Sequence, residues 1–263
     1  MRIIYATAVS IAIFSANCAT AAPVWMQDMT WQEIDKAIKS GKTTVIVPTG
    51  GIEQNGPHLT LGKHNFILEK TAPAIAEKLG NALVAPIIPY VPEGNATPPE
   101  GHMRFAGTIS MQPATFAAVL EDTAASLKQH GFKYICFIGE HGGSQAVQGD
   151  VAAKLSAQWH KEGVRVIQVD DYYDADNGQV AWAKKAVPAE KDIEAHGGFA
   201  DTSEMLAVAP QEVRNNLRAP YAAGDYEKTG AAGSSVHASK QYGEKLLELK
   251  VEAAVKEIEK AEK

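Results

Sequence analysis

The sequence predicts an α/β domain, a mostly parallel sheet covered by helices on both faces. Two observations carry this. Short apolar runs rich in valine and isoleucine recur along the chain. Between them lie stretches with helical spacing, several of them closed by a glycine. Strands buried on both faces read as continuous apolar runs, and strands that alternate with helices are joined by crossovers, which makes neighbours parallel.

The elements follow in order. "WQEIDKAIKSG" has helical spacing and a glycine stop. "TTVIVPTG" is β-branched and apolar, a buried strand. "NFILEKTAPAIAEKLG" predicts a helix ended by Gly80, and "ALVAPIIPYV" a strand-like run broken by prolines. "PATFAAVLEDTAASLKQHG" is a helix with Pro113 in its first turn, where a missing N–H costs nothing, and Gly131 at its end. "KYICFIG" is a strand, "SQAVQGDVAAKLSAQWHKEG" a helix and "VRVIQVD" a strand. A polar loop follows. "DTSEMLAVA" then begins a helix, and "KQYGEKLLELKVEAAVKEIEKAEK" forms a long terminal one. No internal repeat, low-complexity tract or linker interrupts the pattern, so residues 22–263 are expected to form one domain.

Composition narrows the function. A formal charge of −6 without a basic cluster argues against a nucleic-acid partner. Arg2, the apolar run "IIYATAVSIAIF" and the small residues Ala19 and Ala21 read as a cleavable secretory signal over residues 1–21. The run is shorter than the roughly 20 residues that span a bilayer. Asn17 fits a lipoprotein signal poorly, although Cys18 follows it. An exported protein, periplasmic or secreted, is expected, with no membrane span. Cleavage would leave Cys136 alone in "YICFIG", a core thiol with no disulfide partner.

In parallel α/β sheets, sites gather beyond the carboxyl ends of the strands. "GGIEQNGPHLTLGKHN" follows the first strand and holds Glu53, His58 and His64. "GEHGGS" follows "KYICFI" and holds His141, while "AHGGFADTSE" holds His196 and Asp201. Imidazoles and carboxylates are the donors that zinc and similar ions take. Each spacing alone is weak; three such loops at one sheet edge suggest a metal site, and a polar surface loop is the plain alternative.

These stretches also carry a resemblance. "PTGGIEQNGPHLTLGKH" resembles the first motif of the creatininase (creatinine amidohydrolase) family, Pro-x-Gly-Ser-x-Glu-Gln-His-Gly-Pro-His-Leu-Pro-Leu with an Asp shortly after. "EGHMRFAGTIS" is similar to its His-x-x-Phe-Pro-Gly-Thr segment, "GEHGGSQ" to Asn-Gly-His-Gly-Gly-Asn and "AHGGFADTS" to His-Ala-Gly-x-x-Glu-Thr-Ser, all in the family's order. The resemblance implies a three-layer α/β/α fold and a metal-dependent amidohydrolase acting on C–N bonds. It also implies a homo-oligomer, often a hexamer. Glu53 and His141 match metal ligands, and His196 matches the proton-shuttling histidine. Asn55 stands for a ligand His, His64 for the Asp that bridges two metals, Asp201 for a Glu ligand, and Gly139 and Ser144 for the two Asn residues around the "HGG".

The expected reaction is hydrolysis of an amide or cyclic amide by metal-bound water, whose pKa the ion lowers toward ~7. His196 would pass a proton to the leaving nitrogen. One divalent ion per chain is expected, zinc first, with manganese or iron as alternatives, held by Glu53, His64 and His141 with Asp201 as a fourth ligand or a water holder. Asn55, His102, Tyr172 and Tyr173 would touch the substrate or support the ligands; His102 reads equally as a buried structural histidine, and "VDDYYDAD" as a solvated loop. His58 is expected to orient its loop. His130 and His160 suit helix C-termini, and His237 a cap or subunit contact. Two rivals stand beside this. "GGSQA" approximates a nucleophile elbow, making Ser144 with Asp201 and His237 a serine-hydrolase triad. A silent binding protein on the same fold is the other.

Overall fold

The computed structural model describes residues 23–174 and 177–263; the expected signal segment lies outside them. Strands β1 (Thr44–Thr49), β2 (Ala82–Val84), β3 (Tyr134–Gly139) and β4 (Arg165–Gln168) form a sheet in the order β2-β1-β3-β4, parallel at every pairing. The register sets Thr44 against both Ala82 and Tyr134, and Tyr134 against Arg165, so the strands end near one edge.

The two faces separate by the period-2 alternation of strand side chains. Val45, Val47, Ile135 and Phe137 point to one face. There they pack on Phe116, Leu120 and Ala124 of α3 (Pro113–Gln129), on Val151, Ala152 and Leu155 of α4 (Gln145–Trp159), and on Ile34 and Ile38 of α1 (Trp31–Lys39). Ile46, Val84, Cys136 and Ile138 point to the other, against Leu68, Ala72 and Ile75 of α2 (Lys63–Leu79) and Val251, Ala254 and Ile258 of α8 (Lys240–Ala261). This is the expected α/β/α arrangement, and Cys136 is a buried thiol within it.

Local signals worked as their physics requires. Thr30 and Glu33 form a reciprocal capping box at the start of α1. Gly80 ends α2 at φ 76°, a left-handed conformation that costs a glycine little. Differences concentrate where periodicity is weak. The run from Ala82 is a strand for three residues only, because Pro86 and Pro89 cannot donate ladder hydrogen bonds. The polar loop contains α5 (Gln179–Ala186), and α7 (Tyr226–Thr229) is a further short helix. Helix α6 (Phe199–Val208) starts two residues before the predicted Asp201. It is packed against α2 through Met205 and Ile67, and against α8 through Phe199 and Tyr242. Among the described residues no helix is long and apolar enough to cross a membrane.

Candidate metal centre

The predicted loops bring Glu53, His64, His141, His196 and Asp201 to one cavity at the carboxyl edge of the sheet. Glu53 lies between β1 and α2, Lys63 and His64 in the first turn of α2, and Glu93 after β2. His102 sits in a one-turn 3-10 helix, Gly101–Arg104. His141 follows β3 and precedes the turn leading into α4. His196 and Asp201 flank the start of α6. They line one cavity of about 840 Å³, together with Tyr173 and a second group of charged residues.

Glu53 is its hub and is almost fully buried. Its Oε1 takes His64 Nε2 at 2.7 Å, with Lys63 Nζ at 3.6 Å and His196 Nδ1 at 3.9 Å. Its Oε2 faces His141 Nε2 at 3.1 Å and His102 Nε2 at 3.2 Å. Burial would raise this carboxyl, but His64, His141 and Lys63 outweigh it and hold it well below the usual range. A second carboxylate, Glu93, places Oε2 at 2.8 Å from the same His141 Nε2. Its Oε1 is buried without a hydrogen-bond partner among the described residues. Burial and the charge of Glu53 push Glu93 up to about 7, against the pull of His141.

Gly51 allows this crowding. A Cβ there would stand 2.8 Å from Glu93 Oε1 and 3.1 Å from the His64 ring, so only glycine lets the two loops approach.

The histidines differ in protonation. Burial, reinforced by Lys63, lowers His64 to about 3. Burial, reinforced by His196, lowers His102 to about 4. Both are neutral imidazoles at physiological pH. His141 goes the other way. Burial lowers it, but hydrogen bonds to Glu53 and Glu93 prevail and raise it to about 9. Its Nε2 stands between two carboxylates, 3.1 Å from Glu53 Oε2 and 2.8 Å from Glu93 Oε2, and one N–H there can satisfy only one of them well.

Glu53, Glu93, His102 and His141 thus bring two carboxylate oxygens and two imidazole nitrogens to within 4.8 Å of one another. A divalent cation fits this set. It is a nitrogen and oxygen donor group suited to zinc or manganese, and a cation would answer both the orphaned oxygen of Glu93 and the overcommitted proton of His141.

His196 borders the cluster. Its Nε2 donates to the Gln54 carbonyl at 2.8 Å, and its Nδ1 lies 3.9 Å from Glu53 Oε1. Gln54 also reaches His102 Nδ1 at 3.0 Å, and Tyr226 Oη lies 3.2 Å from that nitrogen.

Of the four expected metal ligands, Glu53 and His141 enter the cluster. His64 stands beside it, bonded to Glu53 Oε1 and edge-on to the His141 ring, and Asp201 turns to Lys63 Nζ at 2.9 Å and to the Gly197 N–H at 2.7 Å. His102, expected near substrate, sits among the donors. Asn55 is fully buried and does not line the cavity; its Nδ2 holds the Glu53 carbonyl at 3.0 Å. Tyr173 lines the cavity, but Tyr172 does not. Tyr172 is turned into the core by the one-turn helix Asp170–Tyr172, where its hydroxyl meets Glu140 at 2.5 Å and Thr71 at 2.7 Å. Of the two tyrosines expected to touch the substrate, Tyr173 borders the cavity and Tyr172 is a buried anchor instead. His58 does orient its loop, through Thr202 Oγ1 at 2.8 Å. His130 and His160 cap helix C-termini, and His237 pairs with Glu190 at 2.5 Å.

The serine triad has no geometry behind it. The Ser144 hydroxyl is fully buried, donates to the His141 carbonyl at 2.8 Å and accepts from Gln148 at 2.9 Å, while Asp201 and His237 are engaged elsewhere.

Sequence reasoning missed Glu93, Lys63 and Tyr226. Glu93 had a usable signal, since "YVPEG" follows a strand run at the same edge. Lys63 and Tyr226 had none.

Comparison with known proteins agrees. The chain is 26% identical over 204 residues to creatinine amidohydrolase of Pseudomonas putida, covering 72% of this chain and 74% of that one. It is 29% identical over 174 residues to the mycofactocin precursor peptide peptidase of Mycolicibacterium smegmatis, covering 64% of this chain and 59% of the peptidase. A solved structure described as "Creatininase Mn" superposes with a TM-score of 0.78 at 23% identity, covering 91% of this chain and 99% of that one. Residues 27–258 match the family model Creatininase, described as creatinine amidohydrolase. Motif order, fold and this match over most of the chain agree, and the chain belongs to the creatininase family, as a divergent member.

Proposed function

We propose that this protein is a metal-dependent hydrolase of a C–N bond in an amide or cyclic amide. One observation carries the reading: four ligand-type donors converge beside a cavity-lining imidazole, His196, held through its Nε2 by the Gln54 carbonyl. A divalent ion held by Glu53, Glu93, His102 and His141, zinc or manganese by donor type, would supply Lewis acidity toward a carbonyl and toward water.

The protein's own groups do the rest. The Gln54 carbonyl holds His196 by its Nε2–H, so this ring exchanges a proton at Nδ1, on the cavity side. Moving a proton to a leaving nitrogen is the task such an imidazole suits. Tyr226 and Gln54 orient the His102 ring. Tyr173 forms part of the wall, and burial lifts its phenol to about 12, so it remains a neutral donor. A cavity of about 840 Å³ exceeds what one small ring fills and supports an amide of larger size, in keeping with a relative that is a peptide peptidase.

The test is elemental analysis of purified protein, followed by a chelator-controlled screen of amides, lactams and short peptides. Hydrolysis that stops with chelator and returns with added ion supports the reading. Bound metal with no hydrolysis in the screen favours the silent binding protein, and hydrolysis indifferent to chelator overturns the metal role. Export and self-association belong to the same proposal. Native protein should begin near Ala22 by intact mass and exceed one chain by native mass spectrometry.

A further inference from the structure

We propose that the Lys63 ammonium is a built-in cation, which fills a second cation position beside Glu53 and limits the protein to one metal ion per chain. This rests on the metal-hydrolase reading of the same cavity.

The geometry divides at Glu53. Its Oε2 belongs to the four-donor cluster with His102 and His141. Its Oε1 belongs to a different group: His64 Nε2 at 2.7 Å, Lys63 Nζ at 3.6 Å and, across the lysine, Asp201 Oδ1 at 2.9 Å. Without the lysine this second group is two carboxylates and an imidazole, the donor set of a divalent-ion site. The ammonium lies between the two carboxylates, and its side chain is only 3% exposed. It cannot withdraw to solvent without leaving buried anions unpaired.

Its placement runs against local preference. Lys63 is the first residue of α2, and that first turn holds no acidic residue. A cation is disfavoured at a helix N-terminus by the macrodipole. Glu53 and Asp201 supply the compensation, from two other segments of the chain. A covalent ammonium differs from an ion in kind. It gives one fixed positive charge and N–H donors, offers no open coordination position, and is not lost to chelators. Asp201, an expected metal ligand, serves this lysine instead.

The test counts ions in metal-free, full-length mature protein titrated with Mn²⁺, by equilibrium dialysis with elemental analysis and by electron paramagnetic resonance. Wild type should saturate at one ion per chain with the spectrum of isolated Mn²⁺. Lys63→Ala, with its fold checked by circular dichroism, should take two ions and show exchange coupling between them. Lys63→Arg should keep one. Two ions in wild type, or a folded Lys63→Ala that still saturates at one, overturns the proposal. The wild-type count decides even if the alanine variant fails to fold. Failure of wild type to bind any ion would instead overturn the metal-hydrolase reading beneath it.

Discussion

Two buried lysine–carboxylate networks line the same cavity, and they are built to opposite ends. Lys250 of α8 lies 2.8 Å from Glu140 Oε1 and 3.2 Å from Glu204 Oε2. Glu140 Oε2 accepts from Tyr172, and Glu204 Oε1 accepts from Gln179. Every carboxylate oxygen in this group has a partner. Around Lys63, Glu53 is likewise surrounded, but Glu93 Oε1 and His64 Nδ1 are buried with no partner among the described residues. A closed polar network specifies a fold; one with orphaned atoms is costly unless something completes it. The Lys250 group therefore reads as scaffold and the Glu53 group as a site.

The largest effect should come from breaking the closed network. Lys250→Met would leave Glu140 and Glu204 buried without their counter-charge. The expected cost is about 3–5 kcal/mol, a large part of the ~5–15 kcal/mol that holds a domain together. Denaturant unfolding measures it, and a loss under ~1 kcal/mol would mean the network is not the scaffold inferred here.

On the open side, His196→Ala should lower the rate by about 10²–10⁴-fold, the usual worth of general acid–base catalysis. Metal content should stay near normal, because His196 lies outside the four-donor cluster. Loss of the metal in this variant would make His196 a ligand instead.

Metal affinity should rise with pH. His141 is raised to about 9, so below that value its ring holds an extra proton that a cation bound at Nε2 must displace. Between pH 7 and 9 each unit of pH should strengthen binding about tenfold, the slope of one displaced proton, and the gain should level off near pH 9; below pH 7 the slope should steepen as Glu93, raised to about 7, gains a proton too. Calorimetric titrations in buffers of different ionisation heat would count the proton. A flat profile between pH 7 and 9 would remove His141 from the ligand set.

The smallest effect is expected at Ser144. Its hydroxyl holds a backbone carbonyl, so Ser144→Ala should change the rate by less than about tenfold. A triad serine is worth about 10⁶ in kcat, and a loss of that order would restore the serine-hydrolase reading.

Much of the frame was legible in the sequence because its causes are local. The valine and isoleucine of β1, Gly80 after α2 and Pro113 at the head of α3 act through burial period and backbone geometry within a few residues. The sheet edge that would carry the site followed from strand–helix alternation. What stayed hidden depends on distance in space. The sequence could place Glu53, His141 and His196 in loops of one edge, but not say which side of a carboxylate each would face. His64 and Asp201 are donors by chemistry; only the packing of α6 against α2 brings Asp201 to Lys63 rather than into the cluster. Glu93 joins His141 because Gly51 lets two loops touch, and Tyr172 is a core residue because one helical turn after β4 points it inward. Residue type determined what each side chain could bind. Tertiary structure decided its partner, because a buried charge takes the opposite charge that packing sets beside it, from wherever in the chain it comes.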